Sequence, residues 1–162
     1  MAKPEFLTFS SKELMPQEEV LEVKKGKSQL QIGIPREVYM QEKRVALTPD
    51  AVQLLVNHGH EVLIETNAGM GASYSDNDYS ESGARIVYNV KEIYESDMII
   101  KIEPPSLKEI EMMKHRQSVI SALQLKTREK EYFRKLMDKK ITALSFENME
   151  DEDEMLPVVR SM

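Results

Sequence analysis

From residue 29 onward, apolar residues gather in six short runs: 30–34 (LQIGI), 61–66 (EVLIET), 85–88 (RIVY), 97–102 (DMIIKI), 118–123 (SVISAL) and 141–146 (ITALSF). Each is rich in β-branched side chains and too short for a stable helix, so each reads as a strand. Stretches with helical spacing lie between them. Residues 49–58 carry Val52, Leu54, Leu55 and Val56 on one stripe, and residues 128–139 carry Tyr132, Phe133, Leu136 and Met137. Strands that alternate with helices, several with apolar residues at consecutive positions, predict an α/β domain. The expected form is a doubly wound, mainly parallel sheet with helices on both faces.

The helix ends are marked by side-chain chemistry. Thr48-Pro49-Asp50 sets an N-cap hydroxyl, a first-turn proline and an early acid in order, and Gly59 suits the left-handed position that closes the same helix. Ser106 and Glu109 form a capping box, Pro104-Pro105 stops the preceding strand, and Thr127 is the expected cap of a helix starting at 128. Residues 1–28, with Pro4, Pro16, Gly26 and scattered charges, read as an N-terminal arm with room for a short helix over 17–25. The remainder, 29–162, reads as one domain.

Composition narrows the function classes. The chain has no cysteine, so a disulfide scaffold and a thiolate metal site are both excluded. The net charge is −6 with acids spread along the chain, which argues against a phosphate-backbone partner. The longest apolar runs fall far short of a bilayer span, and the first residues lack the apolar core of a signal peptide, so no membrane insertion is expected and the setting reads as cytoplasmic. Glu147 to Glu154 holds six acids in eight residues but lacks the ordered spacing and central glycine of a calcium loop, and reads as a solvated segment.

Ligands of open α/β sheets sit beyond the carboxyl ends of the strands, which directs attention to 35–44, 67–73, 103–105 and 124–126. In the first segment Arg44 precedes a helix N-terminus. It could form a two-pronged clamp for a small carboxylate or be a surface arginine in a charged loop. The second segment, NAGMGAS, superficially suggests a dinucleotide loop, but Tyr74 stands where the third glycine is needed, so it reads as a turn and no nucleotide-binding loop is visible. His58, His60 and His115 show no third ligand nearby, and no metal site is expected. Lys101 and Glu103 flank Ile102 near a strand end and are expected on one face, while Gln124 and Lys126 end the next strand.

The stretch IGIPREVYMQEKRVALTPDAVQLLVNHGHEVLIETNAGMGASYSD, followed by DMIIKIEPP, ITALSFE and LPVVRSM, resembles the N-terminal portion of alanine dehydrogenases and of NAD(P) transhydrogenase alpha subunits. The IEPP strand end and SALQLKT look like a distinct alanine dehydrogenase-like branch. The resemblance implies a Rossmann-like substrate domain without its own nucleotide-binding loop. NAD would be bound by a downstream domain absent from this chain, and no cofactor is expected on the chain itself. It further implies a small amino or keto acid as substrate, oxidative deamination of alanine in the complete enzyme, and a homo-oligomer. A transhydrogenase role and a non-catalytic binding role are the alternatives.

The residue-by-residue correspondence is partial. Arg44 falls on the family arginine that grips the substrate carboxylate, and Met162 falls on a methionine close to the substrate pocket. The family run Lys-Val-Lys-Glu-Pro is here Lys101-Ile102-Glu103-Pro104-Pro105, so the first lysine is kept and the substrate-binding one is replaced by Glu103. The general acid/base histidine is replaced by Gln124, an amide with no protonation equilibrium near neutral pH. Lys101 could supply part of the missing positive charge, or be buried in the core strand.

Overall fold

The computed structural model describes residues 29–38, 42–151, 155, 156 and 158. The possible helix over 17–25, and Met162, lie outside the described residues.

Six strands form in the expected places: β1 (Gln31–Ile34), β2 (Glu61–Glu65), β3 (Arg85–Val87), β4 (Met98–Ile100), β5 (Ser118–Ser121) and β6 (Thr142–Ser145). They make one sheet in the order β3-β2-β1-β4-β5-β6. All five neighbouring pairs are parallel. The helices are α1 (Pro49–Asn57), α2 (Asp76–Glu81), α3 (Val90–Tyr94), α4 (Leu107–Met112) and α5 (Lys130–Asp138). α1 and α2 gather Ile34, Val62, Ile64 and Tyr79 into a core on one face of the sheet. α3, α4 and α5 gather Leu63, Ile99, Val119 and Leu136 on the other. The sheet is therefore doubly wound. Because Val62 and Ile64 go to one core and Leu63 to the other, consecutive apolar residues are what a strand covered on both sides requires.

Chain direction across the sheet reverses between β1 and β4, so a crevice opens at the carboxyl ends of those two strands. The close approach of α3 to β1 depends on Gly33. A Cβ there would lie 2.6 Å from the Ile93 carbonyl oxygen and equally near Ser96 Oγ.

Local signals agree closely at the helix starts, with one exception. Thr48 caps α1 by accepting the Ala51 N–H, and Gly59 takes φ +88° beyond its end. Ser106 and Glu109 form both bonds of the capping box at α4. A second box, Ser75 with Asp78, starts α2. Thr127 does not cap α5. Its hydroxyl donates to the Gln124 carbonyl, the helix begins at Lys130, and Glu129 occupies the cap position without a side-chain bond. Two residues of the expected stripes also face outward, Leu54 and Met137, while Val52 and Leu136 are buried. No helix of the described residues is long and apolar enough to cross a membrane.

Candidate functional site

The crevice between β1 and β4 is built on charge. Past Pro35 the chain turns so that the Glu37 side chain points inward, only 6% exposed. Glu37 Oε1 accepts the N–H of Ile102 at 2.6 Å, and Oε2 lies 3.4 Å from the N–H of Glu103 and 3.8 Å from Lys101 Nζ. One carboxylate thus ties the loop after β1 to the bend after β4. Burial pushes its carboxyl above the ordinary range, and Glu109 adds to this; Lys101 and the two amides pull the other way without cancelling it.

Lys101 is 1% exposed, and its Nζ lies 2.7 Å from Glu109 Oε1. The Tyr94 hydroxyl donates to the same oxygen at 2.5 Å, and the Ser106 N–H donates to Glu109 Oε2 at 2.6 Å. Burial would raise the Glu109 carboxyl, but the Lys101 charge and these hydrogen bonds outweigh it, and the group is held below its ordinary value. Burial first, then Glu109, pushes the Tyr94 hydroxyl far up, so it stays a donor.

Arg44 lies on the other side of the crevice, ahead of α1. Glu42 meets its guanidinium in a two-pronged contact, Nε at 2.8 Å and Nη2 at 2.6 Å, and also accepts the Arg44 N–H at 2.9 Å. That contact raises the Arg44 pKa and lowers the carboxyl of Glu42. Nη1 carries no bond among the described residues. The loop is held from behind by the turn at Met70–Ala72, where a Cβ on Gly71 would come within 2.7 Å of the Lys43 carbonyl oxygen.

Arg44, Glu103, Gln124 and Glu147 line one cavity of about 310 Å³, with Ile102, Ala122 and Phe146 as its apolar wall. Gln124 sits past β5 in the left-handed region, φ 49° and ψ 48°. Its N–H donates to Glu147 Oε1 at 2.7 Å, and its Oε1 accepts Arg128 Nη2 at 3.3 Å. Three of the residues singled out from sequence, Arg44, Glu103 and Gln124, are therefore brought together. Lys101 is not beside them. β4 ends at Ile100 and the chain bends at 102–103, so the two-residue spacing does not put Lys101 and Glu103 on one wall. The ammonium is spent on Glu109, and burial is the reading that holds. Sequence reasoning missed Glu37, which lies 65 residues from its amide partner and gave no local signal. It also missed Glu42, whose position two residues before Arg44 was such a signal, and Glu147, which was absorbed into the acidic run.

Among the described residues no group of three or more His, Cys, Asp or Glu could hold a metal ion. The glycine-bearing turn does not fit a dinucleotide either. The space beside Gly69 is filled by Tyr79 and Tyr74, that beside Gly71 by the Lys43 backbone, and the following helix starts with Asp76 and Asp78. A pyrophosphate would meet the carboxylates of Asp76 and Asp78 there rather than a positive field.

The family model for the alanine dehydrogenase/PNT N-terminal domain matches residues 33–162. The chain belongs to this family. An alanine dehydrogenase of Staphylococcus epidermidis is 38% identical over 133 residues, which is 82% of this chain and 36% of that protein. Alanine dehydrogenase 2 of Staphylococcus aureus gives the same identity and coverage. Among solved structures, an L-alanine dehydrogenase superposes with a TM-score of 0.76 at 36% identity, covering 80% of this chain and 36% of that one. A transhydrogenase from Sinorhizobium meliloti gives 0.69 at 27%, covering 74% and 35%. The chain thus spans little more than a third of the length of these relatives.

Proposed function

We propose that this family member is the substrate-binding part of an NAD-dependent amino-acid dehydrogenase of the alanine dehydrogenase type. The observation that carries this is the convergence of Arg44, Glu103 and Gln124 on one cavity at the carboxyl ends of the strands, although the three come from separate loops. Arg44 is the carboxylate anchor. Its Nη1, which carries no bond among the described residues, can take a substrate oxygen while Glu42 holds the rest of the guanidinium in place. The apolar wall excludes water from a short side chain. Gln124 orients substrate by hydrogen bonding at the position where the family uses an acid/base group, but holds no titratable proton. Lys101 acts through Glu109 and Glu37 as a positioning residue for the bend that carries Glu103. Met162 is a further pocket residue on the family pattern.

NAD would come from a separate domain, since the turn at Met70–Ala72 does not fit it. Residues 1–28 are proposed as an arm outside this domain, and the half-exposed apolar face of β4–β6 supports self-association into a homo-oligomer. The alanine dehydrogenase reading is preferred to a transhydrogenase role because the former relatives are more similar in both sequence and structure.

The test is a titration of the protein with L-alanine and with pyruvate, followed by amide NMR shifts. Residues 44, 103 and 124 should respond, and Arg44→Ala should weaken binding by about 10- to 100-fold, the scale of one charge-assisted contact. Equal affinity in the variant would remove Arg44, and with it the pocket assignment.

A further inference from the structure

The charges in the cavity do not balance for alanine. Its one guanidinium is already matched by Glu42, whereas Glu103 and Glu147 also line it. Neither carboxylate forms an ion pair among the described residues. Glu147 Oε1 accepts the Gln124 N–H, and its second oxygen carries no bond among the described residues. Lys126 lies in the adjoining cavity and forms no ion pair with Glu147, and Arg128 is turned to Gln124 Oε1. Two acids next to one arginine that Glu42 already pairs make a site that disfavours an acidic amino acid and favours added positive charge. A divalent cation is a poor occupant, because the donors number only two carboxylates and an arginine faces them.

We propose that the preferred substrate class is a diamino monocarboxylic acid, an amino acid carrying a second ammonium on its side chain. This rests on the reading of the cavity as an amino-acid pocket. The substrate carboxylate takes Arg44 Nη1, and the two ammonium groups pair with Glu103 and Glu147, which leaves no carboxylate of the pocket without a counter-charge. The available space, about 310 Å³, is roughly ten times the volume of one water and accommodates an unbranched five- or six-carbon amino acid.

Calorimetric titration with L-ornithine and with L-norvaline tests this, since the two differ by one terminal ammonium on an equally long chain. Ornithine should bind about 10- to 100-fold more tightly, one charge-assisted contact's worth. Glu103→Gln and Glu147→Gln should each narrow that ratio, and Glu103→Lys should shift preference toward L-glutamate. Norvaline binding as tightly as ornithine, or a ratio that survives both glutamine variants, overturns the proposal while leaving the amino-acid pocket intact. If Arg44→Ala does not alter the affinity of either ligand, or if neither binds, the pocket reading falls and this proposal with it.

Discussion

The two halves of the sheet are held by different forces. Under α1 and α2 the core of β1–β3 is apolar, with Tyr79 as its one polar tip, and that hydroxyl donates to the Leu47 carbonyl. Ser96, Lys101, Glu109, Gln117 and Ser121 are buried polar residues of the second half, and the buried Glu37 carboxylate reaches into their network from the loop after β1. Gln117 is fully paired, donating to the carbonyls of Tyr94 and Ser96 and accepting the Lys114 N–H, whereas the Ser121 hydroxyl has no hydrogen-bond partner among the described residues. Coverage differs as well. The core beneath α1 and α2 draws no residue from β4, β5 or β6, so Met98, Ile100 and Ile120 stay half-buried on that face and Leu144 is 40% exposed. The first half is stabilised by the area it removes from water. The second adds a buried polar network around Lys101 and Glu109 to an apolar cluster of its own that includes Ile99, Ile110, Val119 and Leu136. The candidate site is built where the two meet.

Lys101→Ala should show the largest effect. It leaves the Glu109 and Glu37 carboxylates buried without their common cation, and breaking a buried pair in this way costs about 3–5 kcal/mol. Urea unfolding measures it, and a loss below about 1 kcal/mol would mean that the polar network does not hold the second half. Next comes a pair of equal chemistry. Ile64→Ala, fully buried in the first half, should cost about 2–5 kcal/mol, and Ile120→Ala about half as much. Equal costs in the same unfolding assay would show that the second face is covered as well as the first.

The smallest effect is in the acid limb of stability, and its sign separates the two carboxylates. Glu109 titrates below its ordinary value in the folded chain, so its contribution is present above the ordinary carboxylate range and is lost as pH falls through the folded value. Glu37 titrates above its ordinary value, so its contribution is present below that range and lost as pH rises through the folded value. Glu109→Gln should therefore flatten the fall of stability on acidification, and Glu37→Gln should steepen it. Ile64→Ala should leave that slope unchanged. Thermal melts between neutral pH and pH 4 read all three, and parallel slopes for the two glutamine variants would refute the assignment.

The contrast also explains what could be read from the chain. The first half, and the strands throughout, rest on local pattern. Apolar runs bounded by turn residues located all six strands, and capping boxes located helix starts, because those signals act within four residues. The errors share a cause. Thr127 looked like a cap, but its hydroxyl found the Gln124 carbonyl of the preceding tight turn. Lys101 and Glu103 looked like neighbours on a face because alternation was assumed to continue past Ile100, where the chain leaves the sheet. Glu37 and Glu147 find their partners across 65 and 23 residues, and no periodicity reports a hydrogen bond of that span. Arg44 was ambiguous from spacing alone, and its proposed role as anchor rests on the family resemblance and the cavity.

The left-handed backbone at Gln124 has a consequence for anyone engineering this domain. A residue with a side chain costs about 1–2 kcal/mol in that region, whereas glycine enters it freely. Random mutagenesis screened only for heat resistance would therefore be rewarded at this codon for glycine, and the gain would erase the amide that faces Arg128 and the cavity. A library built for thermostability should hold position 124 fixed and search elsewhere, since here a gain in heat resistance would strip a side chain from the cavity lining.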